Sequence, residues 1–246
     1  MDTALAGPEA PGVAIVTGGS RGAGRATVRR LATRGYAVVV NYVHDQRVAD
    51  ATVETVLADH GAAVAVRADV ADEMDVQRLF AETIETFGGV DAVVHTVGSR
   101  AVATTMTEVE LDYFDTLFRI NTRATLIVNR EGARCLRPGG AIVNLCGTTA
   151  DSSLPAYGLF AATTAATVMI TRALALELRD RRITVNAISL DAGRPCTPGR
   201  VADVVAYLLS DPGHGLTGQV FGWDGATPPA RLTSDPTGVR SCGEPG

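Results

Sequence analysis

The stretch VAIVTGGSRGAG, residues 13–24, decides how this chain folds. Val13 to Thr17 form a short β-branched run that suits a buried strand, and a helical pattern begins at residue 23. Between them, glycines at 18, 22 and 24 allow a tight turn and a close approach of the backbone to an anion. Such an anion would meet the free N–H groups at the start of the helix. A glycine-rich loop alone serves many turns, but the order strand, loop, helix is the context that a pyrophosphate cradle requires.

Outward from that loop, short β-branched runs alternate with longer amphipathic ones. Strands are read at 13–17, 37–42, 62–70, 90–98, 140–146 and 183–189, all buried on both faces. Helices are read at 23–34, 46–60, 72–87, 108–137 and 156–181, with a helix at 198–210 and a short strand at 218–223 closing the unit. The alternation predicts an α/β fold: a single doubly wound Rossmann-type domain over residues 12–225, with a mostly parallel sheet and helices on both faces. Residues 1–11 read as a flexible N-terminus. Residues 226–246, rich in Pro, Gly, Ser and Thr, read as a flexible tail.

Composition narrows the function classes. A formal charge of −5, with 22 Lys and Arg scattered along the chain, disfavours nucleic acid as a partner. No apolar run reaches the roughly 18 residues that span a bilayer, and the N-terminus lacks the pattern of a signal peptide. Cys135, Cys146, Cys196 and Cys242 lie far apart, with no C-x-x-C and no His pair at metal spacing. No metal site and a reduced cytoplasm are expected. Cys146, in an apolar strand, reads as a small buried residue.

The cradle offers Gly18, Ser20, Arg21, Gly22, Ala23 and Gly24 to a dinucleotide. The second strand ends VVVNYVH (38–44), with Asn41 near its tip and no acid before Asp45. An NAD-binding chain commonly places a carboxylate there for the ribose 2′-hydroxyl. Arg21, a fork-shaped donor, suits a 2′-phosphate instead, so NADP(H) is favoured, with NAD(H) as the alternative.

Further motifs carry a resemblance: ADV (68–70), RINTRAT (119–125), RPGGAIVNL (137–145), TRALALELRDRRITVNAIS (171–189) and TGQVFGWDGA (217–226). With TGGSRGAG, they make the chain resemble the short-chain dehydrogenase/reductase family over roughly residues 12–225. The resemblance implies a small-molecule substrate, and dimers or tetramers built through the long helices at 108–137 and 156–181. It implies that Asp69 and Val70 flank the adenine and that Thr96 and Gly98 line the cofactor. Asn121 would support a proton-relay water. HTVG (95–98) stands where the family has Asn-Asn-Ala-Gly.

The family also uses a Ser to fix the substrate oxygen and a Tyr to move the proton. A Lys four residues later favours the Tyr anion, because an unassisted phenol is a poor acid–base group at neutral pH. Counting from IVNLCG upstream and TRALALEL downstream puts Gly147, Phe160 and Thr164 at those positions. A rival alignment makes Tyr157 the acid. It needs three residues inserted within the helix, which would rotate the buried face by about 300°, and it leaves Ala161 at the Lys position. The acid–base residues therefore read as replaced. The segment LDAGRPCTPGR (190–200) runs straight into the next helix, so the substrate lid reads as largely missing.

Three functions fit. The first is a non-standard NADP(H) oxidoreductase whose proton comes from water, from the substrate, or from Tyr157, His95, Asp151 or Asp191; for His95 a structural strand-end role competes. The second is a non-redox enzyme that shapes a cyclisation or isomerisation by positioning. The third is a catalytically silent subunit or regulator, paired with an active relative.

Overall fold

A computed structural model describes residues 12–98, 102–147, 156–190 and 197–223. Seven strands make one sheet: β1 (Val13–Thr17), β2 (Ala37–Tyr42), β3 (Ala62–Arg67), β4 (Val90–His95), β5 (Leu136–Gly147), β6 (Thr184–Leu190) and β7 (Val220–Trp223). Their order is β3-β2-β1-β4-β5-β6-β7, and every pairing is parallel. The fold is thus the doubly wound α/β one that the alternation predicts.

Helices cover both faces: α1 (Gly22–Ala32), α2 (Gln46–Ala58), α3 (Glu73–Phe87), α4 (Leu111–Phe118), α5 (Ala124–Cys135), α6 (Gly158–Glu177) and α7 (Pro198–Leu208). The period-two geometry of a strand divides β1 between two cores. Ala14 and Val16 pack with Val28 and Leu31 of α1 and Val201 and Val205 of α7. Ile15 faces the other way, to Leu79 and Phe80 of α3 and Val128 of α5. After β3 the chain returns across the sheet to lay β4 beside β1, register Thr17↔His95. That reversal opens a crevice at the carboxyl ends of β1 and β4, where open α/β sheets bind ligands.

Several expectations are corrected. β3 is an edge strand with exposed ends and half-buried residues, because among the described residues no further strand covers its outer side. β3 and β4 stop at Arg67 and His95, short of 70 and 98. The single helix expected over 108–137 is three pieces: α4, a π-helical turn at Arg119–Arg123, and α5. β5 then begins at Leu136, four residues early, since Pro138 and Gly139 (φ 81°) do not continue a helix. At the other long helix, Ala156 adopts a left-handed φ of 70°, so α6 starts only at Gly158. The expectation that no segment is long and apolar enough to cross a membrane also fails. α6 has 20 residues at mean hydropathy 1.6, though it packs Leu159, Val168 and Ala175 into the protein. The predicted flexible ends, 1–11 and 226–246, lie outside the described residues, as does most of the shortened lid.

Candidate active site

Backbone geometry explains the glycines. Gly18 and Gly22 have φ of 62° and 52°, a region that residues with a Cβ disfavour. A Cβ on Gly24 would collide with the Gly18 carbonyl oxygen and stand 2.8 Å from Thr96 Oγ1, so only glycine lets α1 sit this close to the loop. A Cβ on Gly22 would meet nothing within 4 Å, which leaves the mouth of the cradle open. Arg21 is the N-cap of α1 and makes no capping bond, so its side chain does not take the first amides of the helix. A diphosphate fits this arrangement of open backbone donors.

Buried polar groups brace the loop. Asn41 is fully buried; its Oδ1 accepts from the Gly18 N–H (3.3 Å) and its Nδ2 donates to the Ala68 carbonyl (3.0 Å). Ser20 and Ala23 are half-buried, and the Ser20 carbonyl accepts from Thr52 Oγ1 at 3.5 Å. Thr96 Oγ1 donates to the Thr17 carbonyl (2.6 Å), while its N–H donates to Thr17 Oγ1 (3.1 Å). That same Thr17 hydroxyl meets His95 Nδ1 at 2.9 Å. His95 is wholly buried, and burial pushes its pKa down to about 4, so it stays neutral near pH 7. Its Nε2 has no hydrogen-bond partner among the described residues. The residue reads as a bracing group at the strand end rather than a proton carrier.

At the nucleoside end, Arg21 forms an ion pair with Asp45 at 2.6 Å, and both side chains are exposed. Asp45 also caps α2 through the Val48 N–H. Val70 is buried. Asp69 is part-buried, which pulls its pKa up. The Ala71 N–H and the Arg119 guanidinium (2.5 Å) more than offset this, holding its carboxyl below the usual range.

The other side of the crevice joins β5, the π turn and α6. A Cβ on Gly98 would lie 3.7 Å from Asn121 Oδ1, so these two expected residues do face each other. Buried Asn121 donates to Thr163 Oγ1 (3.1 Å), which donates to the Phe160 carbonyl (2.8 Å). A Cβ on Gly147 would overlap Phe160 Cε1 and stand 2.5 Å from its Cζ and 3.2 Å from Thr164 Oγ1. Gly147, Phe160 and Thr164 therefore meet in space. Tyr157 lies half-buried just before α6, and its carbonyl accepts from the Ala161 N–H at 3.0 Å. Asp151 and Asp191 lie outside the described residues.

One feature escaped the sequence reading. Asn129 and Asn144 exchange amide hydrogen bonds (2.8 and 2.9 Å), and Asn144 also donates to Thr171 (3.0 Å). All three are buried, and they tie α5, β5 and α6 together behind the crevice. Its signal was present in two polar stripes at four-residue spacing, Asn121-Thr125-Asn129 and Thr163-Thr167-Thr171.

A family model described as enoyl-(acyl carrier protein) reductase matches residues 18–192. Versicolorin reductase 1 of Aspergillus parasiticus is 32% identical, with 87% of this chain and 95% of the relative covered. The hydroxynaphthalene reductase-like protein Arp2 of Metarhizium majus is 38% identical over 72% of this chain and 66% of its own length. Among solved structures, a short-chain dehydrogenase/reductase from Serratia marcescens matches with TM-score 0.82 at 29% identity, covering 86% of this chain and 96% of that one. A short chain dehydrogenase from Burkholderia cenocepacia in complex with NADP matches with TM-score 0.81 at 30% identity and the same coverage.

Proposed function

The chain belongs to the short-chain dehydrogenase/reductase family, and from that premise we propose that it is an NADP(H)-binding oxidoreductase. It acts on a small molecule without the family's Ser-Tyr-Lys relay. The open cradle carries this reading: left-handed Gly18 and Gly22, with helix amides that the Arg21 side chain does not cap. The NADP complex of the Burkholderia cenocepacia relative supports the choice of dinucleotide.

In this reading Gly18, Ser20, Gly22, Ala23 and Gly24 hold the diphosphate. Arg21 leaves Asp45 to meet the 2′-phosphate, Asp69 and Val70 border the adenine, and Thr96 and Gly98 line the nicotinamide side. Asn41 acts through the loop it braces. The bound nicotinamide supplies hydride chemistry. Phe160 offers neither a proton nor a hydrogen bond, so the general acid–base help that is typically worth about 10²–10⁴-fold is missing from that position. The substrate must therefore be electrophilic before it binds, with its proton taken from water or from Tyr157. Free thiols at Cys135 and Cys146 fit a reducing cytoplasm.

Titrating the purified chain with NADPH and NADH at fixed salt tests this. Micromolar NADPH binding, weaker NADH binding and loss of both in Gly24→Val are expected. Absence of binding to either dinucleotide sinks the reading and favours a non-redox enzyme or a silent subunit. A partnered assembly is supported by exposed Leu111, Leu126, Met169 and Leu176 on α4, α5 and α6. We read this surface as the contact of a homodimer or homotetramer.

A further inference from the structure

Phe160 and Thr164 stand one turn apart on α6 and both face the backbone of Gly147. The Phe160 ring takes the space into which a residue-147 side chain would rise, so an aromatic ring stands beside the end of β5. The ring is half-buried, and Thr164 keeps only 2% of its surface exposed.

The Thr164 hydroxyl is the unusual group. Buried helical threonines elsewhere in the chain donate to the carbonyl one turn back, as Thr27, Thr83, Thr125 and Thr171 do. At Thr164 that carbonyl belongs to Phe160, and Thr163 takes it instead. The Thr164 hydroxyl makes no hydrogen bond among the described residues. A hydroxyl in that state can donate to an incoming acceptor. Its oxygen sits beside Gly147, the end of β5.

We propose that Phe160 and Thr164 together select the substrate: a planar conjugated ring stacks on Phe160 and presents a ring oxygen to the Thr164 hydroxyl. Quinones and oxidised phenol rings are the chemical class. Such rings spread incoming charge over their own atoms, so one neutral donor suffices where an isolated ketone needs a strong acid. An aliphatic ketone has no face to stack and finds no phenol. The inference rests on the crevice being the substrate site, as in the reading above.

Calorimetric titration of the full chain, with and without NADP⁺, uses three probes: anthraquinone-2-sulfonate, anthracene-2-sulfonate (no ring oxygens) and cyclohexanone. The anthraquinone should bind at least about 10-fold tighter than cyclohexanone, and Phe160→Leu should weaken both aromatic probes by about 3- to 10-fold. Thr164→Val should weaken the anthraquinone by about 3- to 10-fold and leave the anthracene unchanged, with Thr164→Ser restoring the loss. Equal binding of cyclohexanone overturns the proposal. So does a Thr164→Val variant, folded by circular dichroism, that shifts both aromatic probes alike or neither. A failure of NADP⁺ to bind would remove the dinucleotide reading alone, because the nucleotide-free titrations still decide the ring pair.

Discussion

At Gly147 the absence of one carbon decides what the crevice can do. Restoring a side chain there without moving Phe160 is overpacking, so Gly147→Ser should destabilise the chain by about 1–3 kcal/mol. Phe160→Ala should absorb that loss, and a double-mutant cycle by chemical denaturation should show coupling; additive effects would mean that the two residues do not touch. His95 makes a second residue-scale prediction. Its folded pKa of about 4 lies below the 6.5 of the free side chain, so the unfolded chain binds the extra proton between those values. Stability from this group is complete above about pH 6.5 and falls as pH drops toward 4, by on the order of 3 kcal/mol. Melting curves across that window should flatten in His95→Asn. At Arg21 the exposed Asp45 pair is worth little by itself. Asp45→Asn should therefore raise NADPH affinity by only about 2- to 5-fold and leave NADH binding unmoved.

At the scale of elements, the strands were legible because β-branched runs mark them, and the cradle was legible because its glycines sit between a strand and a helix. Gly147, Phe160 and Thr164 were picked out by counting from two flanking motifs, and the Phe160 and Thr164 side chains lie against the Gly147 backbone. The π turn at Arg119–Arg123 was not legible, since one widened turn leaves the apolar periodicity of a long helix nearly intact. Edge status of β3 was equally hidden, because strand order is a property of the whole sheet. The Asn129-Asn144-Thr171 network joins three elements distant in sequence, and each residue alone looks like an ordinary polar position. Asn144→Leu should destabilise the chain by about 1–3 kcal/mol, because it leaves the buried Asn129 amide with only its bond to the Thr125 carbonyl and its Oδ1 without a donor. Denaturant midpoints with an unchanged m-value would check it.

At the scale of the whole molecule, seven parallel strands and two helical layers keep a nucleotide crevice in place, with Gly147, Phe160 and Thr164 meeting at the end of β5. Exposed apolar residues on α4, α5 and α6 predict self-association. Light scattering should give a dimer or tetramer, and Leu176→Glu with Met169→Glu should shift it toward monomer without loss of fold. The most direct measurement is a crystal structure of the chain grown with NADP⁺. It should place the diphosphate on the amides of residues 18–24, with the Phe160 ring against Gly147 and Thr164 beside it. A dinucleotide bound elsewhere, or Tyr157 occupying the place of Phe160, would contradict the reading at its centre.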